Sequence, residues 1–309
     1  MKVLITGGSG FIGSHLADRL VSRGDEILVI DNYETGRRDN LRAGERLRII
    51  ENTICNEKAL ADAFSDFRPE VVVHAAASYK DPENYGGDAS TNTYGTALVV
   101  KNCQRLKVNR LVYLQTALCY GDPVEQPITL KHPINPGKSS YAISKTAGEQ
   151  YIELSGLNYI SFRLANAYGP RNLSGPLPTF YSRLTQGKPC FVADTRRDFI
   201  FVKDMVDVIE KAVDGCGERG AYHISTGRDF SIKELFDGAL AVLGIKLEKP
   251  VEVKARNPDD VVSILLDPSK TIETFHWKAS TPLEEGIRRT IGYYKDFGIS
   301  ETYTHLKQQ

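Results

Sequence analysis

Val3-Leu4-Ile5-Thr6-Gly7-Gly8-Ser9-Gly10-Phe11-Ile12-Gly13 decides the fold: a short apolar run enters a glycine-rich turn and leaves it as an amphipathic helix. That order is a phosphate-binding strand, loop and helix. Gly7 allows the tight turn, Gly10 lets the backbone approach a pyrophosphate, and Gly13 lets the helix lie close to the strand. The N–H groups and the positive dipole end of the helix N-terminus then face the anion. The glycines are spaced three residues and then three, not the two-then-three of most dinucleotide-binding dehydrogenases. Taken alone, the stretch is also compatible with a glycine-rich turn that holds no ligand.

Working outward, the apolar runs 27–30, 71–73 and 111–114 lack alternation, as expected of strands buried on both faces of a parallel sheet. Helical patterns separate them: the stripe Ile12, Leu16, Leu20, the stretch 59–67 and the long stretch 92–106. This alternation predicts an α/β fold, a Rossmann-type doubly wound parallel sheet with right-handed crossovers. Phe162-Arg163-Leu164 reads as its last strand, and a loop rich in Gly, Pro, Asn and Ser follows. We place a boundary there. Residues 1–165 are expected to bind the dinucleotide, and residues 166–309 to form a smaller α/β substrate domain, with 199–215 packing back on the first. The closing stretch 281–297 reads as an amphipathic helix with Pro282 in its first turn.

Composition narrows the partners. The 309 residues carry 39 basic and 39 acidic side chains, interspersed, so no basic stripe tracks a nucleic acid and no patch draws the chain to a membrane. No apolar run approaches a membrane span, and no leader precedes the first strand. A cytoplasmic protein with a small-molecule partner is expected. The five cysteines are scattered and never form C-x-x-C, which suits free thiols in a reducing compartment, and the six histidines form no metal-ligand cluster.

The chemistry-bearing residues follow the strands. Asp31 ends the second strand, where a carboxylate accepts hydrogen bonds from both ribose hydroxyls of an adenosine and repels a 2′-phosphate. NAD is thereby favoured over NADP, with Arg37 and Arg38 positioned to soften the preference. His74-Ala75-Ala76-Ala77 leaves room for a flat cofactor, His74 reading as structural; Lys80 beyond it is either a substrate contact or a solvated lysine. Tyr141 and Lys145 stand one helical turn apart, on a face distinct from the apolar stripe Ile143, Ala147, Tyr151 and Leu154, so the pair is not needed for the core. A free phenol of pKa about 10 is ionised to only about a thousandth at neutral pH. A neighbouring ammonium and a positive nicotinamide ring would stabilise the phenolate and make Tyr141 a usable base. Arginines on separate loops, Arg171, Arg197 and Arg256, suit a diphosphate, although each singly also reads as a surface arginine.

Together these residues resemble the extended short-chain dehydrogenase/reductase family, in its branch of NAD-dependent nucleotide-sugar epimerases and dehydratases, most like UDP-glucose 4-epimerases. The resemblance runs from the Thr6-to-Gly13 fingerprint through Asp31-Asn32…Gly36-Arg37-Arg38, His74-Ala-Ala-Ala, Asn92 and Thr116 before Tyr120-Gly121. It continues through Tyr141/Lys145, Arg163…Asn166…Tyr168-Gly-Pro-Arg171 and Arg197-Asp198-Phe199. It implies that Gly7, Gly10, Phe11, Ile12, Gly13, Asp31, Asn32, Gly36, Ile54, Ala75, Ala76, Ala77, Asn92, Tyr141 and Lys145 contact NAD. Tyr141 would take the proton of a sugar hydroxyl, Thr116 would hold the same oxygen, and Lys145 would tune Tyr141 and hold the nicotinamide ribose. Lys80, Asn166, Arg171, Phe191, Arg197 and Arg256 would contact the sugar nucleotide, expected to be a UDP-sugar. A homodimer through helices 90–106 and 141–155 is implied as well.

Departures from the family pattern sharpen the reading. Ala117-Leu118 stands where 4,6-dehydratases carry an Asp-Glu pair, so the acid and base for removing water are missing, while an epimerase needs neither. Gln115 replaces a usual serine, Thr53 replaces the aspartate that contacts adenine, the 193–197 segment is short, and His223 stands where asparagine is common. A UDP-sugar 4-epimerase leads. A dehydratase or reductase of the same fold, and a non-catalytic NAD-binding sensor, are the alternatives.

Overall fold

A computed structural model describes residues 1–137, 139–256, 261–299 and 301–303. The first half of the chain runs β1 (Lys2–Thr6), α1 (Phe11–Ser22), β2 (Glu26–Asp31), β3 (Leu47–Glu51), α2 (Glu57–Phe67), β4 (Val71–His74), α3 (Tyr85–Asp88), a π-helical turn (Ala89–Gly95), α4 (Thr96–Leu106), β5 (Arg110–Thr116), α5 (Ser140–Leu154) and β6 (Tyr159–Leu164). The second half continues with β7 (Asn166–Tyr168), α6 (Pro176–Thr185), β8 (Phe191–Ala193), β9 (Arg196–Arg197), β10 (Phe199–Phe201), α7 (Val202–Val213) and β11 (Gly220–Ile224). It closes with β12 (Phe230–Ser231), α8 (Ile232–Leu243), β13 (Glu252–Lys254), β14 (Ser263–Ile264), α9 (Ser269–Phe275) and α10 (Leu283–Phe297).

Seven strands form one parallel sheet in the order β11-β6-β5-β4-β1-β2-β3, so the chain reverses direction of travel between β1 and β4. That gap is the switch point where open α/β sheets hold their ligands. The continuous apolar runs are explained by two covered faces. Val3 and Ile5 pack with Leu16 and Leu20 of α1 and with Met205 and Ile209 of α7, while Leu4 points the other way among Phe64 of α2 and Val99 of α4. A third cluster, built on Phe180, Phe199, Phe236 and Ile291, fills the smaller layer of the second half.

One expectation about the strands needs correction. Phe162-Arg163-Leu164 is not the last strand: β11 lies outside it, with Tyr222 beside Phe162 in register. The chain reaches that edge because α7 packs on α1 and carries the backbone back to the sheet. The edge strand β3 also escapes the apolar-run criterion, since Leu47-Arg48-Ile49-Ile50-Glu51 has one neighbour and a partly exposed face.

Helix α5 reverses the expected sidedness. Ile143, Tyr151 and Leu154 are 51%, 48% and 83% exposed, whereas Ser144, Lys145, Thr146 and Glu149 are buried. The polar face turns inward because it has partners there. Glu149 accepts from Arg163 Nε at 3.2 Å and Nη2 at 3.1 Å, from Gln115 Nε2 at 3.3 Å and from the Ser161 hydroxyl. Gly148 permits the close approach, since a Cβ there would lie 2.6 Å from the Asn92 carbonyl oxygen. The chain of bonds extends outward. Arg163 Nη1 donates to the Tyr120 hydroxyl at 2.8 Å, which donates to His223 Nε2 at 2.6 Å, because His223 Nδ1 is committed to the Asp267 carbonyl. Burial holds His223 neutral, lowered to about 4.

Removing one member of a buried ion pair leaves the other charge uncompensated, at a cost of about 3–5 kcal/mol. Glu149→Gln should therefore lower the free energy of unfolding by roughly 3 kcal/mol in urea titration. A wild-type midpoint and slope would contradict this placement of α5.

Candidate active site

The glycine loop is built by close approach. Gly7 has φ +67°, and a Cβ on it would sit 2.6 Å from the Ala76 nitrogen; one on Gly13 would sit 2.5 Å from the Gly7 oxygen. Only glycine meets both demands. Gly10 precedes α1 and no side chain caps that helix, so its first-turn N–H groups stand ready for an anion. Gly7, Gly10, Phe11, Ile12 and Gly13 all line a cleft of about 970 Å³, counted to its open mouth.

Along one end of the cleft lie Asp31, Asn32, Glu34, Thr35, Asn52, Thr53 and Ile54. Asp31 is buried and accepts from Ser9 N and Tyr33 N, both at 2.8 Å. Burial raises its pKa, opposed by those backbone N–H groups. Gly36 backs the carboxylate, for a Cβ there would come within 2.7 Å of Asp31 Oδ1. Arg38 pairs with Glu51 and Arg37 with Asp39, so both guanidinium groups have carboxylates of their own beside the cleft.

The other end is walled by Ala75, Ala76, Ala77, Tyr79, Thr91, Leu114, Gln115, Tyr141, Lys145 and Leu164. Lys145 is 1% exposed, with Nζ 4.0 Å from the centroid of the Tyr113 ring. Burial pushes its pKa down to about 7, and Glu149 one turn on opposes the shift. Tyr141 moves the opposite way from expectation in the ligand-free chain. Burial raises its pKa, the Asp88 carboxylate adds to the rise, and a hydrogen bond with Thr116 works against it. Desolvation dominates, since a buried phenolate loses its hydration.

Several sequence-assigned residues are not among those lining this cleft. Asn92 does not line the cleft: it accepts from Ser78 N at 2.8 Å and donates to Ser78 O and Ser144 Oγ, tying the loop after β4 to α5. Arg171, at φ +68°, donates to Asp18 of α1 at 2.7 Å, because the Gly169-Pro170 turn carries it over that helix. Arg197 is buried and donates to the Val261 carbonyl at 3.0 Å. Asn166 pairs through its backbone with β10, Phe191 is half-exposed with Lys254 Nζ 4.3 Å from its ring centroid, and Arg256 is exposed. Exposed Lys80 lies near Tyr303. Among residues the sequence reading left without a cofactor role, Glu34, Thr35, Asn52, Thr91 and Gln115 line the cleft. Most sit just beyond strand ends, the one signal that could have found them.

Comparison with known proteins now has a geometry to meet. The profile of the NAD dependent epimerase/dehydratase family matches residues 3–225. The chain belongs to that family. NAD is accordingly its cofactor, and the glycine cradle and the Asp31 carboxylate fit that dinucleotide. A putative UDP-glucose 4-epimerase of Methanocaldococcus jannaschii is 31% identical, covering 95% of this chain and 98% of that one. The Bordetella bronchiseptica enzyme WbmH, solved in complex with NAD+, is 48% identical with a TM-score of 0.93 over 96% of this chain and 99% of its own. A UDP-glucose 4-epimerase of Thermotoga maritima, solved with UDP-glucose, is 30% identical with a TM-score of 0.90 over 96% of this chain and 99% of its own. Among the described residues, no helix is long and apolar enough to cross a membrane.

The depressed lysine has a pH signature. Below pH 7 the folded chain bears the full cost of a buried ammonium, and that cost fades as pH rises toward the ordinary lysine value of about 10.4. Lys145→Met should therefore raise ligand-free stability by a few kcal/mol more at pH 6 than at pH 9.5, read by thermal unfolding. An equal difference at both pH values would contradict it.

Proposed function

We propose that this chain is a UDP-sugar 4-epimerase, inverting C4 of a UDP-hexose, a UDP-N-acetylhexosamine or a UDP-uronate through a transient 4-keto sugar. The observation that carries the reading is Tyr141 and Lys145 at the end of the cleft opposite Asp31, with Thr116 in hydrogen-bond contact with Tyr141 and with Ala117-Leu118 and no carboxyl pair after that threonine. Tyr141 takes the proton of the C4 hydroxyl, Thr116 holds that oxygen, and Lys145 supplies the positive charge that a phenolate needs. Bound NAD supplies the acceptor and later the donor of one hydride. Turning the keto sugar over in the cleft would present the opposite face of C4 to the returning hydride, while Tyr141 gives the proton back to the C4 oxygen. A dehydratase would need an acid and a base to expel water, and this turn offers neither.

Residues 1–165 would carry the cofactor, and 166–309 mainly the sugar nucleotide, with 199–215 lent back to the first domain. Asn166, Arg197 and Arg256 would face the diphosphate and ribose, and Phe191 the base. The exposed Ile143, Tyr151 and Leu154 of α5, with Tyr85 and Tyr94 at 58% and 49% exposure, support a homodimer through this helical face. The free cysteines suit a cytoplasmic setting.

Purified protein given UDP-galactose or UDP-N-acetylgalactosamine should yield the 4-epimer at unchanged mass with no NADH in step with product. Tyr141→Phe should cut kcat by about a thousandfold or more, from loss of the proton acceptor. Loss of water from the product, or stoichiometric NADH, would reject the epimerase. Ile143→Glu with Leu154→Glu should halve the mass in light scattering. A wild type that is already monomeric would reject the dimer.

A further inference from the structure

Tyr303 lies against the loop that follows β7. Tyr303 bridges to Ser174, its N–H donating to the Leu173 carbonyl and its own carbonyl accepting from Gly175 N, both at 3.1 Å. From that anchor the Tyr303 hydroxyl reaches to 2.9 Å from the hydroxyl of Tyr79, with the rings 5.7 Å apart. Tyr79 lines the cleft, and its ring centroid is 6.0 Å from that of Tyr141. Thr35, on the loop after β2, lies within bonding reach of both phenols, and Lys80 Nζ is 5.9 Å from the Tyr303 ring centroid.

These residues come from both ends of the cofactor track. Thr35 belongs to the Asp31 end, Tyr79 touches the Tyr141 end, and the strands that carry their loops, β2 and β4, flank β1 and its glycine turn. A dinucleotide stretched from Asp31 to Tyr141 must pass its pyrophosphate between the glycine turn and this cluster. We infer that Tyr79 and Tyr303 form a clasp over the pyrophosphate of bound NAD, closed by a segment from the far end of the chain, with Tyr303 the residue that positions Tyr79.

The chemistry suits an anion. Burial raises both phenols, so each is a neutral donor without charge to repel phosphate. Two hydroxyls bonded to each other use one O–H between them and leave the second to give. Lys80 adds a cation at the same spot. The inference rests on the family's cofactor and not on the sugar reaction.

Release of NAD from the full chain tests it. Wild type, Tyr303→Phe, Tyr79→Phe and the double variant are loaded with NAD, and the fraction retained is followed over time after gel filtration. Each single variant should lose NAD roughly tenfold faster, as one lost hydrogen bond allows. The double variant should be little faster than either, and ligand-free melting temperatures should be alike. Equal rates in all four proteins would overturn the clasp, as would losses that multiply in the double variant. Sugar turnover is not read, so a failure of the epimerase reading would leave this result standing.

Discussion

One buried ion pair fixes where the chemistry can happen. Glu149 on α5 and Arg163 on β6 hold each other inside the protein, and their remaining bonds go to Gln115, Ser161 and Tyr120. Because Lys145 lies one turn before Glu149 and Tyr141 one turn before that, docking Glu149 sets the height and rotation of both above the sheet edge. A salt bridge in such a place adds little net stability, since desolvation consumes most of the Coulomb gain. Its value is geometric. It selects one helix rotation, with the polar face inward, over the alternative that the apolar stripe would otherwise favour.

The same burial sets the resting electrostatics of the pair. In the ligand-free chain the phenol is held in its neutral form and the lysine is partly discharged, each for want of solvent. Neither group is poised until a further charge enters. On the proposed reading, a positive ring beside Tyr141 favours the phenolate, and the phenolate in turn favours the ammonium of Lys145. On that reading, cofactor occupancy and the base strength of Tyr141 are linked.

Much of this was legible in the residues. The glycine turn, Asp31 and the alanines after His74 each answer a local steric or electrostatic demand, so spacing alone placed them, and the cleft gathers them as expected. What escaped depended on partners distant in sequence. The inward face of α5 is decided by Arg163 and Gly148, not by the hydrophobic pattern of the helix. Strand β11 joins the sheet only because α7 docks on α1. Arg171 turns to Asp18 across a tertiary contact, and Asn92 spends its amide on Ser78 and Ser144. Where such side chains make their bonds depends on neighbours distant in the sequence.

The coupling between cofactor and base can be read directly. Ultraviolet difference titration of the wild type against Tyr141→Phe isolates the absorbance of one phenolate, in NAD-loaded and in ligand-free protein. With NAD bound, the Tyr141 phenolate should appear at a pH well below the ordinary tyrosine value of about 10, and in ligand-free protein only above it. A titration at the same pH in both states would contradict the claim that the bound dinucleotide is what makes Tyr141 a base.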